Sequence, residues 1–232
     1  MITRTFALGP EFDTLPNDTE ETLMGSSLHQ AAIVALYTSL QQCGPRRGLP
    51  WFVGNQIKLM IPRQGRRPYQ PAPDILVHPT LSSGSRDSLY VNADGPPVLI
   101  IEVASPSTAV ERDTNLISPE GKPAVYAAMG VREYLVFDPS DDILGSPVWA
   151  RRKGPGGFVP WEPDGMGRWF SSMLGIAFEP QGTLLRVYNQ DDELVRLTDE
   201  FADLTMGLQR RLDEQERRLA ELEAEIRRLR GG

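Results

Sequence analysis

The chain has 232 residues, a net charge of −7 and 40% hydrophobic residues, a length that suits one large domain with an extension. No apolar run approaches the ~18 residues of a membrane-spanning helix, and the charge argues against a broad, non-specific nucleic-acid binder, because phosphate contacts need a positive surface. The single cysteine, Cys43, excludes an internal disulfide and a cysteine-rich zinc site, and the two histidines disfavour a histidine-built metal site. With no secretory signal at the N-terminus, we expect a cytoplasmic protein without membrane partners.

The first half of the chain predicts one helix followed by strands. The helix is capped by Ser26 or Ser27 and runs to about Gln42, before a Gly-Pro pair that ends it. Strands are predicted at 51–61, 73–78 and 97–104, with a basic loop at 62–71 and a surface loop at 82–94.

The second half predicts one short helix and several more strands. The helix begins at Pro123, with Lys122 at its N-cap, and ends at Met129 before a glycine. Further strands are predicted at 132–137, 147–152, 157–161 and 174–188, the last three as an antiparallel meander. Few helices among many strands indicate an α/β or α+β fold with a β-sheet flanked by helices.

From about Glu193 the hydrophobic pattern changes to a period of seven residues. The repeat consists of two interleaved sets, Phe201, Leu208, Gln215, Leu222, Leu229 and Thr205, Leu212, Leu219, Ile226. This spacing predicts a coiled coil over residues 193–232, and hence a homodimer, after a folded domain of residues 1–192. The alternative is a helix that folds back on its own domain.

Two acidic residues stand in strongly apolar surroundings. Glu102 lies within the most apolar stretch of the chain, 98–104, and Asp74 opens the predicted strand 73–78. A buried carboxylate is costly unless its charge is compensated, and two carboxylates near the ends of neighbouring strands suit a hard divalent cation. Ala104, on the same face of the strand as Glu102, leaves room for a ligand. Alternatively, Asp74 only opens a strand or turn, and Glu102 pairs with an arginine.

Lys122 occupies an unfavourable place for a cation. A lysine at a helix N-terminus opposes the helix macrodipole and cannot accept the capping hydrogen bonds. A residue in a position that costs stability invites a functional explanation. The alternative is an exposed lysine in a loop.

Taken together, these residues resemble a known family. The elements that carry the resemblance are Pro73-Asp74, Ile101-Glu102-Val103, Ser105-Pro106-Ser107-Thr108, Arg112-Asp113, Lys122, the stretch 126–134 and Asp138-Pro139. They are similar to the large prokaryotic family of predicted endonucleases with a restriction-endonuclease-like fold, within the PD-(D/E)xK nuclease superfamily. The resemblance covers roughly residues 25–190 and implies a mixed β-sheet flanked by helices.

The resemblance also implies a set of site residues. Asp74 and Glu102 correspond to ligands for Mg²⁺ or Mn²⁺, and the backbone carbonyl of Val103 is a further candidate ligand. The superfamily's lysine would stand at position 104, which is alanine here; the family supplies it from the following helix, four residues before a tyrosine, as Lys122 and Tyr126 are spaced.

Two further residues are candidate accessory groups of this site. His29, on the first helix, matches a histidine often found there in the family, although simple packing beside Ile33 is an alternative. Asp113 matches an acid between Glu102 and Lys122.

Three functions are compatible with this sequence. The first is a metal-dependent endonuclease that cleaves DNA, with binding supplied by local basic patches. The candidate patches are Arg46-Arg47, Arg63, Arg66-Arg67 and Arg151-Arg152-Lys153, each of which is equally compatible with solvated loop charges. The second is a catalytically silent binding or assembly protein that keeps the fold and acts through its coiled coil. The third is an unrelated metal-dependent hydrolase of a small phosphoester.

Overall fold

The computed structural model describes residues 6–12, 27–44, 51–81, 84, 86–105, 116–118, 121–198, 200, 206, 210–211, 214–215 and 217–218. The chain divides into two compact units, residues 1–195 and 196–232. In the second unit, the described residues from Thr198 onward are helical, and Gln215 is exposed in the single chain. The other heptad positions lie outside the described residues, so the coiled coil and the boundary after residue 192 stay predictions.

The described part of the first unit contains three α-helices and twelve strands. The helices are α1 (Ser27–Cys43), α2 (Val91–Asp94) and α3 (Lys122–Met129). The strands are β1 (Phe52–Asn55), β2 (Lys58–Arg63), β3 (Arg66–Tyr69), β4 (Ile75–His78), β5 (Ser88–Tyr90), β6 (Leu99–Val103), β7 (Glu133–Phe137), β8 (Val148–Gly154), β9 (Gly157–Pro160), β10 (Trp169–Ser171), β11 (Ile176–Gln181) and β12 (Leu184–Tyr188).

A six-stranded mixed sheet with the order β1-β4-β6-β7-β8-β9 lies at the centre of the first unit. Strands β6 and β7 are parallel and their crossover contains α3, while the other neighbours pair antiparallel. Every residue of β6 and β7 is buried. A strand covered on both faces must be apolar along its whole length, which explains the continuous run around Glu102.

Each face of the central sheet carries its own hydrophobic core. One core joins α1 to the sheet face of Ile101 and Val103 and to the three-stranded sheet β10-β11-β12. The other joins the face of Ile100 to α3 and to the three-stranded sheet β3-β2-β5. Since side chains alternate along a strand, Glu102 points to the same side as Ile100, toward α3.

The structure confirms a mixed α+β architecture and the positions of most elements. The predicted loop at 62–71 is wrong, because Gly65 adopts a positive φ of 68° and turns β2 into β3. The predicted strand at 51–61 is two strands, broken at Gln56, and the predicted loop at 82–94 contains β5 and α2. Pairing with β2 makes strands of the polar segments β3 and β5, whereas the positive φ of Gln56 separates β1 from β2. No helix in the described part of the chain is long and apolar enough to cross a bilayer.

A second acidic residue is buried at the far end of the parallel pair. Glu133, the first residue of β7, is 5% exposed and accepts a hydrogen bond from the hydroxyl of Ser171 on β10. Burial raises the pKa of Glu133 to about 7, against the opposing effects of the Ser171 hydrogen bond and the charge of Arg152. The folded protein therefore holds the carboxyl proton to a higher pH than the unfolded chain does.

We expect Glu133 to make the fold less stable at alkaline pH. Its carboxyl binds a proton more tightly in the folded than in the unfolded chain, so its contribution is favourable at low pH and is lost as the pH rises through about 7. At pH 8 the loss amounts to roughly 3 kcal/mol. Glu133→Gln should therefore raise the unfolding temperature at pH 8 and change it little at pH 5. The exposed Glu162 provides the control Glu162→Gln, and an equal effect of Glu133→Gln at both pH values would contradict this origin.

Candidate active site at the end of the central sheet

Asp74 is held where β4 begins, next to the end of β6. The residue is 8% exposed, and its Oδ2 accepts a hydrogen bond of 2.8 Å from the backbone N–H of Val103. Its own backbone carbonyl accepts a hydrogen bond of 3.1 Å from the N–H of Gln56. The carboxylate is therefore fixed to the neighbouring strand by a charge-assisted hydrogen bond.

Glu102 lies on that neighbouring strand, one residue before Val103. The antiparallel register of β4 and β6 extends to the pair Ile75–Ile101, and Asp74 and Glu102 each lie one residue beyond it, at the same end of the two strands. Residues at the end of an antiparallel pair lie close together. Glu102 is 3% exposed, so its carboxylate needs compensation from nearby groups.

Helix α3 supplies that compensation. The Nζ of Lys122 lies 3.1 Å from Oε1 of Glu102, and the hydroxyl of Tyr126 donates a hydrogen bond of 3.0 Å to the same oxygen. Lys122 and Tyr126 are four positions apart and so share one face of α3. The spacing of lysine and tyrosine in the sequence therefore brings both groups onto one carboxylate.

The start of α3 differs from the prediction by one residue. Gly121 is the N-cap, with φ −92° and ψ −146°, and Lys122 is the first helical residue, so its predicted N-cap position is wrong. Pro123 follows within the first turn, where its missing N–H would have no helical partner. A first-turn position directs the lysine side chain back to the end of β6.

His29, in the first turn of α1, contacts Asp74 from the other side of the sheet. Its Nε2 lies 3.4 Å from Oδ2 of Asp74, and the residue is 5% exposed. Burial lowers the pKa of His29, but the hydrogen bond and the charge of Asp74 outweigh it, with smaller contributions from the Val103 carbonyl and Glu102. The net pKa is above its ordinary value, which favours a charged partner for Asp74.

The structure thus brings together Asp74, Glu102, Val103, Lys122, Tyr126 and His29, whereas Asp113 lies outside the described residues. The backbone bond from Val103 to Asp74 was not predicted, because a backbone donor leaves no trace in residue type. No group of three or more His, Cys, Asp or Glu that could hold a metal occurs among the described residues.

The donor set nevertheless fits one kind of ion. Two carboxylates and a backbone carbonyl are oxygen ligands, and Mg²⁺ needs only one or two carboxylates when water completes its shell. The same set lacks the nitrogen and sulfur ligands of a tetrahedral zinc site. The arrangement can therefore hold a hard divalent cation beside a lysine.

Comparisons with known proteins give one family match. The family model Uma2, described as "Putative restriction endonuclease", matches residues 15–154, more than half of the chain. The solved structure of a putative nuclease belonging to DUF820 from Anabaena variabilis ATCC 29413 is similar, with 12% identity and a TM-score of 0.38, over 78% of this chain and 77% of that chain. A TM-score of this size indicates only a weak similarity between the two structures. The comparison with curated proteins found no match.

The ion pair at Glu102 can be tested without an activity assay. Lys122→Met should destabilise the fold by about 3 kcal/mol, because it leaves a buried carboxylate without its cation. The double variant Lys122→Met/Glu102→Gln should recover most of that loss, since it removes both charges. Urea unfolding of the two single variants and the double variant gives the coupling energy. Additive effects of the two substitutions would show that the pair is not coupled in the folded protein.

Proposed function

The chain belongs to the Uma2 family, described as putative restriction endonucleases, and we propose that it is a metal-dependent endonuclease that hydrolyses phosphodiester bonds of DNA. The observation that carries this proposal is the placement of Lys122 on Glu102, one strand away from Asp74, at one end of the central sheet. Two adjacent carboxylates and an amine are suited to metal-assisted attack on a phosphate.

Asp74, Glu102 and the carbonyl of Val103 would hold the metal, Mg²⁺ or Mn²⁺. When bound, such an ion supplies a water molecule of lowered pKa and positive charge for the phosphate oxygens. The negative charge of the two carboxylates supports the binding of a divalent cation, and their burial limits competition from water.

The remaining groups have two roles: Lys122 would face the reacting phosphate, and the others position the carboxylates. Lys122 carries a positive charge that can stabilise the negative charge developing on the phosphate in the transition state. Tyr126 holds Glu102 through its hydroxyl, and His29 and the Val103 N–H hold Asp74. These are positioning roles, because they fix the orientation of the carboxylates.

A second candidate function is a catalytically silent assembly protein with the same fold. The net charge of −7 favours it, since DNA would meet a repulsive field over much of the surface. In that case, the working part would be residues 193–232, which we propose to form a homodimeric coiled coil. The buried single cysteine, Cys43, fits the cytoplasmic location that we propose for either function.

We expect the purified full chain to nick or linearise plasmid DNA in Mn²⁺ or Mg²⁺ and not in EDTA. Asp74→Asn and Glu102→Gln should abolish the reaction, and Lys122→Met should slow it at least about 100-fold, because a charge that faces the transition state contributes ~3 kcal/mol. Gel electrophoresis of a time course measures the rates, and a small phosphodiester as substrate separates a DNA-specific enzyme from a general phosphodiesterase.

Glu162→Gln is the matched control for this assay, because it makes the same chemical change at an exposed position. It should cut plasmid at the wild-type rate. Wild-type cleavage by Glu102→Gln would contradict the proposed role of that carboxylate.

Metal binding separates the nuclease from the silent protein even in the absence of cleavage. Mn²⁺ at about 100 times its dissociation constant should stabilise the wild-type fold by roughly 2.7 kcal/mol, because it binds only the folded state. Thermal unfolding with and without Mn²⁺ should therefore show a higher melting temperature for the wild type and no shift for Asp74→Asn. If the two proteins respond equally to Mn²⁺, the ion is bound elsewhere and the silent protein is favoured.

A further inference from the structure

A groove of about 720 Å³ lies between α3 and the β8–β9 hairpin. Its hairpin side presents Trp149, Arg151, Lys153 and Phe158, and its helix side presents small residues, among them Ala124. We call this space the hairpin groove. Its volume is within the range of sites that bind small molecules or single nucleotides.

The charge of the hairpin groove is opposite to that of the whole chain. Arg151 and Lys153 line it, and none of the described residues that line it is acidic. The chain as a whole has a net charge of −7. A locally positive concave surface in an acidic protein concentrates anions at that place.

The sequence of the hairpin explains this concentration. Trp149, Arg151 and Lys153 alternate along β8, so their side chains share one face, and Phe158 on β9 is the cross-strand partner of Lys153. The Arg151 guanidinium lies over the Trp149 ring, 4.2 Å from its centroid. A ring and a guanidinium plane in contact form a flat surface suited to stacking of a nucleobase.

Helix α3 contributes to both the hairpin groove and the candidate active site. Pro123 and Ala124, which line the groove, directly follow Lys122 in the helix. A chain of ring contacts also joins the two places. It runs from Tyr126, which binds Glu102, to Tyr134 at 5.3 Å and on to Trp149 at 5.9 Å. The groove and the site are therefore connected through buried side chains of one core, on different faces of α3.

We propose that the hairpin groove binds one unstacked nucleotide of the DNA strand that is cut. Its base would lie against Trp149 and Arg151, and Lys153 would contact its phosphate. The preferred substrate is then DNA with single-stranded or unpaired nucleotides, because a paired base cannot enter without the cost of unstacking. This inference rests on the proposed nuclease function and specifies its substrate class.

Binding in EDTA tests the groove without any cleavage. The full chain is titrated, at low salt, into three fluorescein-labelled probes of equal length: an oligothymidylate, the corresponding duplex and an abasic strand. Fluorescence anisotropy should show the tightest binding for the oligothymidylate. Arg151→Gln should weaken its binding about tenfold, and should affect the abasic strand much less, because that strand has no base to stack.

Arg132→Gln is the matched control. Arg132 directly precedes β7, is exposed and does not line the groove. Its substitution removes the same charge and should leave binding of the oligothymidylate nearly unchanged. Lys153→Gln should also weaken binding of the oligothymidylate. Because Lys153 is exposed, this variant replaces Arg151→Gln in the test if Arg151→Gln lowers the melting temperature.

Three results would overturn the inference: no binding of oligothymidylate by the wild type, equal affinity for the abasic strand, or equal losses in Arg151→Gln and Arg132→Gln. The first two would show that no base is bound, and the third that only net charge matters. If the wild type cleaves DNA in Mn²⁺ but Arg151→Gln binds oligothymidylate as tightly as the wild type, the nuclease function stands and the role of the groove is wrong. Base-dependent binding without any cleavage in Mn²⁺ would contradict the nuclease alone.

Discussion

The ion pair between Glu102 and Lys122 is the interaction on which the arrangement of the site depends. A carboxylate in the middle of a doubly covered sheet loses its hydration, and a cation with a tyrosine hydroxyl on the same oxygen replaces it. The pair joins the first turn of α3 to the end of β6. Because a buried ion pair contributes little net stability compared with apolar packing, its presence is better explained by chemistry than by folding.

The two covered faces of the sheet supply different parts of the site. Helix α1 brings His29 to Asp74 from one side, and α3 brings Lys122 and Tyr126 to Glu102 from the other. The acids themselves come from neighbouring strands, so the sheet fixes their separation. Ring contacts then lead from Tyr126 to the hairpin groove. The positive charge of the groove would allow an acidic chain to bind an anionic substrate, since the electrostatic field at a concave site depends mainly on nearby groups.

Elements with a strong periodic or apolar pattern could be predicted, and those defined by their partners could not. The buried strands β4, β6 and β7 and the helix before Gly130 lie where the sequence predicts them. Strand β3 is basic and largely exposed, and becomes a strand because β2 pairs with it across Gly65. Strand β5 likewise pairs with β2, which lies far away in the sequence. Propensity contains no information about such partners.

For the site, the sequence by itself determined which groups are present and how they are spaced. An acid inside an apolar run, a second acid before another strand, and a lysine four residues before a tyrosine are visible without coordinates. Only the tertiary structure decided that Asp74 and Glu102 lie at the same end of two paired strands, that the N–H of Val103 holds Asp74, and that Trp149 and Arg151 line one groove. The physical reason is that residue type determines the available chemistry, whereas register and backbone hydrogen bonds determine which groups meet.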